Sequence, residues 1–205
     1  MTDTKEKILM TALHLFAVNG YEAVSVSTIA GELGMTKGAL YKHYKNKRDI
    51  FDSIVQRMYE IDAQRSREYD VPESQYDDEP KAYENVSADN IKSFTLSQFA
   101  FWCQDDFASN FRKMLTLEQY RSKEMAKLYS DCITAGPVAY MEDIFREMIK
   151  KGDFSQADSK QLAIEYLAPF YLLLNFYDTT QDMTTCLELL NSSIERFFTV
   201  TLKEY

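Results

Sequence analysis

Helical spacing of apolar residues, with few interruptions, constrains this chain most strongly. Only six Gly and four Pro occur among its 205 residues, whereas folds rich in tight turns need more of both. Ile8, Ala12 and Phe16 recur at the spacing of one helix face, and comparable spacing returns along most of the chain. The sequence therefore predicts an all-α fold of about nine helices and no strand.

Breaks in this spacing indicate where the helices end. Asn19-Gly20 ends the first helix, Gly34 separates a second from a third, and the third is capped by Thr36. The expected helices cover residues 8–19, 28–33, 36–44, 47–67, 91–102, 107–121, 123–151 (bent at Pro137), 162–177 and 187–198. Residues 69–89 contain two prolines and little periodicity, and we expect a connector there.

Charge is distributed unevenly along a chain whose net charge is −9. Residues 1–57 contain eight Lys and Arg against six Asp and Glu, which leaves 15 basic and 26 acidic residues in 58–205. Five of the eight N-terminal cations lie between Lys37 and Arg48. An acidic protein with one basic segment is typical of a protein that contacts a polyanion at one end only.

The basic segment coincides with two short amphipathic helices joined by a tight turn. Ala30 provides a small residue where the helices cross, and Gly34 tolerates a positive φ in the turn. The apolar anchors are Ile29, Leu33, Met35 and Leu40. This arrangement predicts a helix-turn-helix whose recognition helix runs from Thr36 to Tyr44.

Hydrogen-bond donors crowd the polar face of this second helix. A solvated face explains any one lysine, but the whole set favours nucleic acid. Gly38 is a costly residue for an exposed helix and suits a close approach of the backbone to a ligand. The donors fall within twelve residues: Thr36, Lys37, Gly38, Tyr41, Lys42, His43, Lys45 and Lys47.

The stretch from Lys7 to Val55 resembles the N-terminal domain of the TetR family of bacterial transcriptional regulators. The matching runs are ALHLFAVNGYEAVSVSTIA and GELGMTKGALYKHYKNKRDIFDSIV. Met35-Thr36 stands where Val-Ser is more common, and Tyr44 stands where Phe is more common. The resemblance implies a DNA-binding domain over 1–47 and a larger helical domain over 48–205 that binds a ligand and dimerises.

The resemblance also implies roles for individual residues. Lys37 and Gly38 would reach base edges in the major groove, and Lys37 could donate to guanine. Phosphates would be contacted by Thr36, Tyr41, Tyr44 and Lys45, and by Lys47 at the start of the fourth helix. Ser27, Ala39, Lys42 and His43 complete the predicted DNA-binding set. A packed position remains equally open for His43, and we expect His14 to be structural.

The C-terminal part is rich in aromatic residues. Five of the 28 Phe, Tyr and Trp residues lie in 1–57, so 23 lie beyond. Such residues at helical spacing are usually core, but the family layout implies a ligand site among the middle helices. The candidate lining residues are Phe99, Trp102, Met114, Tyr120, Met141, Phe145 and Phe170.

The helix over 162–177 is apolar nearly all round, which indicates packing on two sides. With the last helix it would form the dimer interface that the family layout implies; a buried central helix in a monomer is the alternative. The expected function is a dimeric, ligand-responsive transcriptional regulator. It would most often be a repressor, released from a palindromic operator by a small molecule.

Two alternatives remain open: a helical carrier or enzyme with an incidental helix-turn-helix, and a regulator whose effector is a partner protein. We expect no enzyme activity, because HExxH, GxSxG and Gly-rich phosphate motifs are absent. Three cysteines without CxxC spacing predict free thiols, and we expect no metal and no cofactor. The polar N-terminus shows no signal peptide, so we expect a cytoplasmic protein without a membrane span.

Overall fold

The computed structural model describes residues 4–73, 76, 78 and 80–202. These residues form eleven helices and, as their only β-type pairing, an isolated bridge between Phe154 and Leu202. The all-α prediction is therefore confirmed, with two helices more than expected.

The first four helices follow the sequence prediction closely. They are α1 (Thr4–Asn19), α2 (Val26–Glu32), α3 (Lys37–Leu40) and α4 (Lys47–Glu68). Ser25 caps α2 by accepting a hydrogen bond from the Thr28 N–H at 3.0 Å, and Thr36 caps α3 in the same way. The third helix is shorter than predicted, because α3 ends at Leu40 and turns carry the chain onward to Tyr44.

The middle of the chain departs from the prediction. It contains α5 (Pro80–Tyr83), α6 (Ala88–Gln104), α7 (Asp106–Glu118), α8 (Lys123–Ile133) and α9 (Ala135–Lys151). The single bent helix expected over 123–151 is wrong, because Thr134 leaves the helical conformation (φ −125°, ψ −81°). Pro137 thus lies in the first turn of α9, where its missing N–H costs little. Gly152 ends α9 with a left-handed cap.

Part of the expected connector is ordered against α9. The Tyr140 hydroxyl donates to the Pro72 carbonyl at 3.0 Å, and the Tyr76 hydroxyl donates to the buried Glu147 carboxylate at 2.8 Å. Tyr83 is buried and packs edge-on against Tyr76 and Tyr140. Residues 74, 75, 77 and 79 of the predicted connector lie outside the described residues.

The last two helices are α10 (Ser159–Thr180) and α11 (Met183–Thr201). Asp158 caps α10 by accepting a hydrogen bond from the Gln161 N–H at 3.0 Å. Together with α9 these helices enclose an aromatic core around Phe145, whose ring centroid lies 5.4 Å from that of Phe154 and 5.5 Å from that of Tyr166.

The chain divides into two compact units. Unit 1 comprises residues 1–61 and 105–130, and unit 2 comprises 62–104 and 131–205. Unit 1 is larger than the predicted DNA-binding domain, because α7 packs against α1. Assigning DNA binding to residues 1–47 and ligand binding to 48–205 remains a prediction. Within the described residues, no helix is both long and apolar enough to cross a membrane.

Candidate nucleic-acid interface

The turn between α2 and α3 has the geometry that the sequence predicts. Gly34 adopts a positive φ of 62°, and the Met35 N–H reaches back to the Ala30 carbonyl at 2.9 Å. This hydrogen bond is typical of a helix that ends with a residue in the left-handed conformation. Ala30 and Leu40 are buried and hold the two helices together. The two short helices and their turn therefore form a helix-turn-helix.

Most of the predicted DNA-binding side chains lie on the surface of this motif. Ser27, Thr36, Lys37, Gly38, Tyr41, Lys42 and Lys45 are exposed, whereas Ala39 and His43 are half-buried. The Lys37 ammonium lies 5.7 Å from the centroid of the Tyr41 ring, within the range of a cation–π contact. α3 and the turn after it thus present a donor-rich strip to solvent.

Tyr44 does not belong to this strip. Its side chain is only 2% exposed, and its hydroxyl donates to the Lys5 carbonyl of α1 at 3.3 Å. The predicted phosphate contact from Tyr44 is therefore corrected: the ring packs inside unit 1 and anchors the end of the recognition segment to α1. A Phe at this position would keep the packing of the ring and lose this hydrogen bond.

Lys47 is held more firmly than a surface lysine. Its Nζ donates to the Tyr21 carbonyl at 2.8 Å and lies 4.1 Å from the centroid of the Tyr21 ring. The Lys47 side chain is 22% exposed. An ammonium has three N–H donors, so a phosphate contact is compatible with this position at the start of α4.

Unit 1 contains two long-range pairings that the sequence did not indicate. Glu118 of α7 is 2% exposed and accepts the Tyr21 N–H at 2.9 Å. His14 of α1 lies 2.9 Å from both carboxylate oxygens of Asp106, which agrees with the structural role expected for it. Neither pairing has a local signature, because the partners are more than ninety positions apart.

The structure does not group the seven predicted ligand-lining residues. Met114 and Tyr120 belong to unit 1, and Tyr120 is 87% exposed. The other five are buried in unit 2: Phe99, Trp102, Met141, Phe145 and Phe170. Phe99 and Phe170 are in direct edge-on contact, with centroids 5.5 Å apart. Their role in ligand binding remains a prediction.

The fold and the exposed strip define the class of the protein, an all-α protein that carries a helix-turn-helix motif. Residues 8–54 match the model of the family described as bacterial regulatory proteins, tetR family. This N-terminal region is therefore similar to the tetR family.

Curated relatives agree with this assignment. AcrR of Shigella flexneri, an HTH-type transcriptional regulator, is 42% identical over 52 residues, which are 25% of this chain and 24% of AcrR. An HTH-type transcriptional regulator of Staphylococcus aureus (strain USA300) is 25% identical over 181 residues, covering 85% of this chain and 92% of the relative. The match spans only 17–31% of the length of the relatives that are about 40% identical.

Solved structures extend the similarity of fold over the whole chain. SmeT, the repressor of the Stenotrophomonas maltophilia multidrug efflux pump SmeDEF, superposes with a TM-score of 0.65 at 20% identity. The superposition covers 99% of this chain and 92% of SmeT. The SmeT–triclosan complex gives a TM-score of 0.66. At this level of identity the similarity concerns the fold.

Proposed function

We propose that this protein is a dimeric, ligand-responsive transcriptional regulator that acts by binding rather than by catalysis. The observation that carries the proposal is the exposed donor strip of α3, which lies within the residues that match the tetR family. Lys37 and Gly38 would read base edges. Thr36, Tyr41, Lys45 and Lys47 would contact phosphates and fix the register.

Dimerisation is supported by an apolar stripe on α10 and α11. Ile164, Leu172 and Phe176 recur on one face of α10 and are 46%, 71% and 43% exposed. Leu189 and Val200 of α11 are 48% and 78% exposed. Exposed apolar patches on helices mark interfaces, and a symmetric dimer supplies the two recognition helices that a palindromic operator needs.

Effector response is proposed from the similarity of fold. SmeT is described as a repressor and has been solved with triclosan; for this chain we propose a small-molecule effector that binds in the helical body and lowers operator affinity. α4 carries residues of both compact units and would transmit the change. Such coupling is reciprocal, so the operator would weaken effector binding by the same factor.

The test is selection of bound fragments from random duplex DNA, using protein refolded from denaturant to remove any bound ligand. Wild type should enrich an inverted repeat. Lys37→Ala should relax the preference at one position per half-site, whereas Tyr41→Phe should weaken binding across sequences. Lys81→Ala, an exposed lysine of α5 in unit 2, is the control and should bind as wild type does. Absence of enrichment from folded wild type at low salt would refute the proposal.

A further inference from the structure

The corner between α1 and α2 is built against a carboxylate from a distant part of the chain. Gly20 adopts a positive φ of 79°, and the following N–H, that of Tyr21, donates to Glu118 Oε1 at 2.9 Å. A Cβ on Gly20 would lie 2.9 Å from the same oxygen. Glu118 therefore packs directly against the corner backbone, where the positive φ of Gly20 also favours glycine.

Tyr21 connects this corner to the start of α4. Its carbonyl accepts from Lys47 Nζ at 2.8 Å, and its ring lies below the same ammonium at 4.1 Å. The ring also packs edge-on against Phe16 and Phe51, with centroids 5.2 and 5.1 Å away. Because the backbone N–H and the carbonyl of Tyr21 are both hydrogen-bonded, the position of the Lys47 ammonium depends on where Glu118 holds Tyr21.

Glu124, six residues after Glu118, also forms a contact that involves α4, but this contact lies at the surface. Arg48 Nη2 donates to Glu124 Oε1 at 2.5 Å, and both side chains are about half exposed. Exposed ion pairs contribute little because water and salt screen them. The hydrogen bond of Glu118 is enclosed, so losing it leaves a backbone N–H without its acceptor.

We propose that Glu118 is a positioning residue for DNA binding: through Tyr21 it holds the Lys47 ammonium where an operator phosphate is met. This inference rests on the proposed function. It assigns a part in DNA binding to α7, which lies in sequence between the two stretches of unit 2 yet packs in unit 1.

The test compares operator affinity across salt concentrations for wild type, Glu118→Ala, Glu118→Gln, Lys47→Ala and the Glu118→Ala/Lys47→Ala double variant. Glu118→Ala should weaken binding on the order of tenfold, because the hydrogen bond from the displaced Lys47 ammonium to a charged phosphate is lost. Its plot of log K against log salt should become shallower by about 0.9 per protomer, as one phosphate contact is lost. Glu118→Gln should restore both values, because its amide oxygen still accepts from Tyr21.

The double variant separates positioning from general stability. In the Lys47→Ala background, adding Glu118→Ala should change affinity less than about twofold, since the two changes act on one contact. Glu124→Ala is the matched control and should leave the salt slope unchanged. If the Ala variant does not fold, Glu118→Asp, which retracts the carboxylate by one methylene, takes its place in every arm.

Two outcomes would overturn the inference: an equal loss of affinity in both backgrounds, or a wild-type salt slope in Glu118→Ala. Failure of wild type to bind any selected DNA would instead overturn the proposed function. The two failures are thus distinguishable.

Discussion

Asp62 is a carboxylate whose ionisation opposes folding. It lies on α4, and burial, opposed by a hydrogen bond from Gln98 and by the charge of Arg65, raises the pKa of Asp62 to about 6. Its Oδ1 is enclosed and has no hydrogen-bond partner among the described residues. A folded-state pKa above the unfolded value means that the folded protein binds this proton more tightly. The contribution of Asp62 to the stability of the folded state therefore becomes less favourable as the pH rises from about 4 to about 6.

Asp62→Asn should remove the free-energy cost of ionising this enclosed carboxyl group. At pH 7.5 the variant should be more stable than wild type by about 2 kcal/mol, and the advantage should shrink as the pH falls and vanish near about pH 3, where Asp62 is largely protonated in both states. Urea unfolding at pH 4, 5, 6 and 7.5 measures the difference. Glu60→Gln, an exposed carboxylate on the same helix, is the control and should change stability by less than about 0.5 kcal/mol. A pH-independent difference for Asp62→Asn would contradict the argument.

The sequence patterns predicted the exposure of some residues of the site correctly and missed others for identifiable reasons. Lys37, Tyr41 and Lys45 are exposed as predicted, because the pattern of a short amphipathic helix shows which face is polar. Tyr44 was misplaced because a hydroxyl does not reveal whether its ring is buried. Glu118 carries no local signal at all: its role depends on the packing of α7 against α1.

At the scale of helices, the break between α8 and α9 shows what a proline alone does not determine. Pro137 predicted a bend, but the chain breaks three residues earlier, at Thr134. The backbone folds back so closely that a Cβ on Gly136 would lie 1.8 Å from the Asp131 carbonyl oxygen. That approach is a property of the folded backbone, and in the sequence it is visible only as a glycine beside a proline.

Gly136→Ala should destabilise the protein by about 3 kcal/mol, because a backbone carbonyl cannot move aside as a side chain can. Gly31→Ala is the opposite case and the control: Gly31 lies within α2 with nothing within 4 Å of an added Cβ. It should stabilise the protein by up to about 1 kcal/mol through helix propensity. Denaturant unfolding measures both, and equal effects would contradict the assignment of the break to this close approach.

The apolar stripe of α10 and α11 makes a prediction at the same scale. Leu172→Glu places a charge in the centre of the proposed dimer interface, where desolvation without a partner is costly. The variant should sediment as a monomer at concentrations where wild type is a dimer. Val18→Glu changes an equally exposed apolar residue of α1 and should remain dimeric. If the Leu172→Glu variant is still a dimer, the dimer interface does not lie on this stripe.

At the scale of the whole molecule, an acidic protein binds a polyanion only through its local basic strip. The net charge of −9 per chain repels DNA at a distance, so non-specific affinity should be weak. Specific binding then depends on a few fixed cations rather than on an extended field. Among the proposed phosphate contacts, Lys45 and Lys47 are charged, whereas Thr36 and Tyr41 are neutral and release no counterions.

The number of charged phosphate contacts predicts the salt dependence of operator binding. A dimer that places Lys45 and Lys47 of each protomer on phosphates neutralises four charges, so log K should fall against log salt with a slope of about −4. Lys45→Ala should reduce the slope by about two per dimer, and Lys81→Ala should leave it unchanged. Fluorescence anisotropy over a range of potassium chloride concentrations measures it. A wild-type slope near −10 would show that many more cations contact the DNA, and the α3 strip would then be only part of the interface.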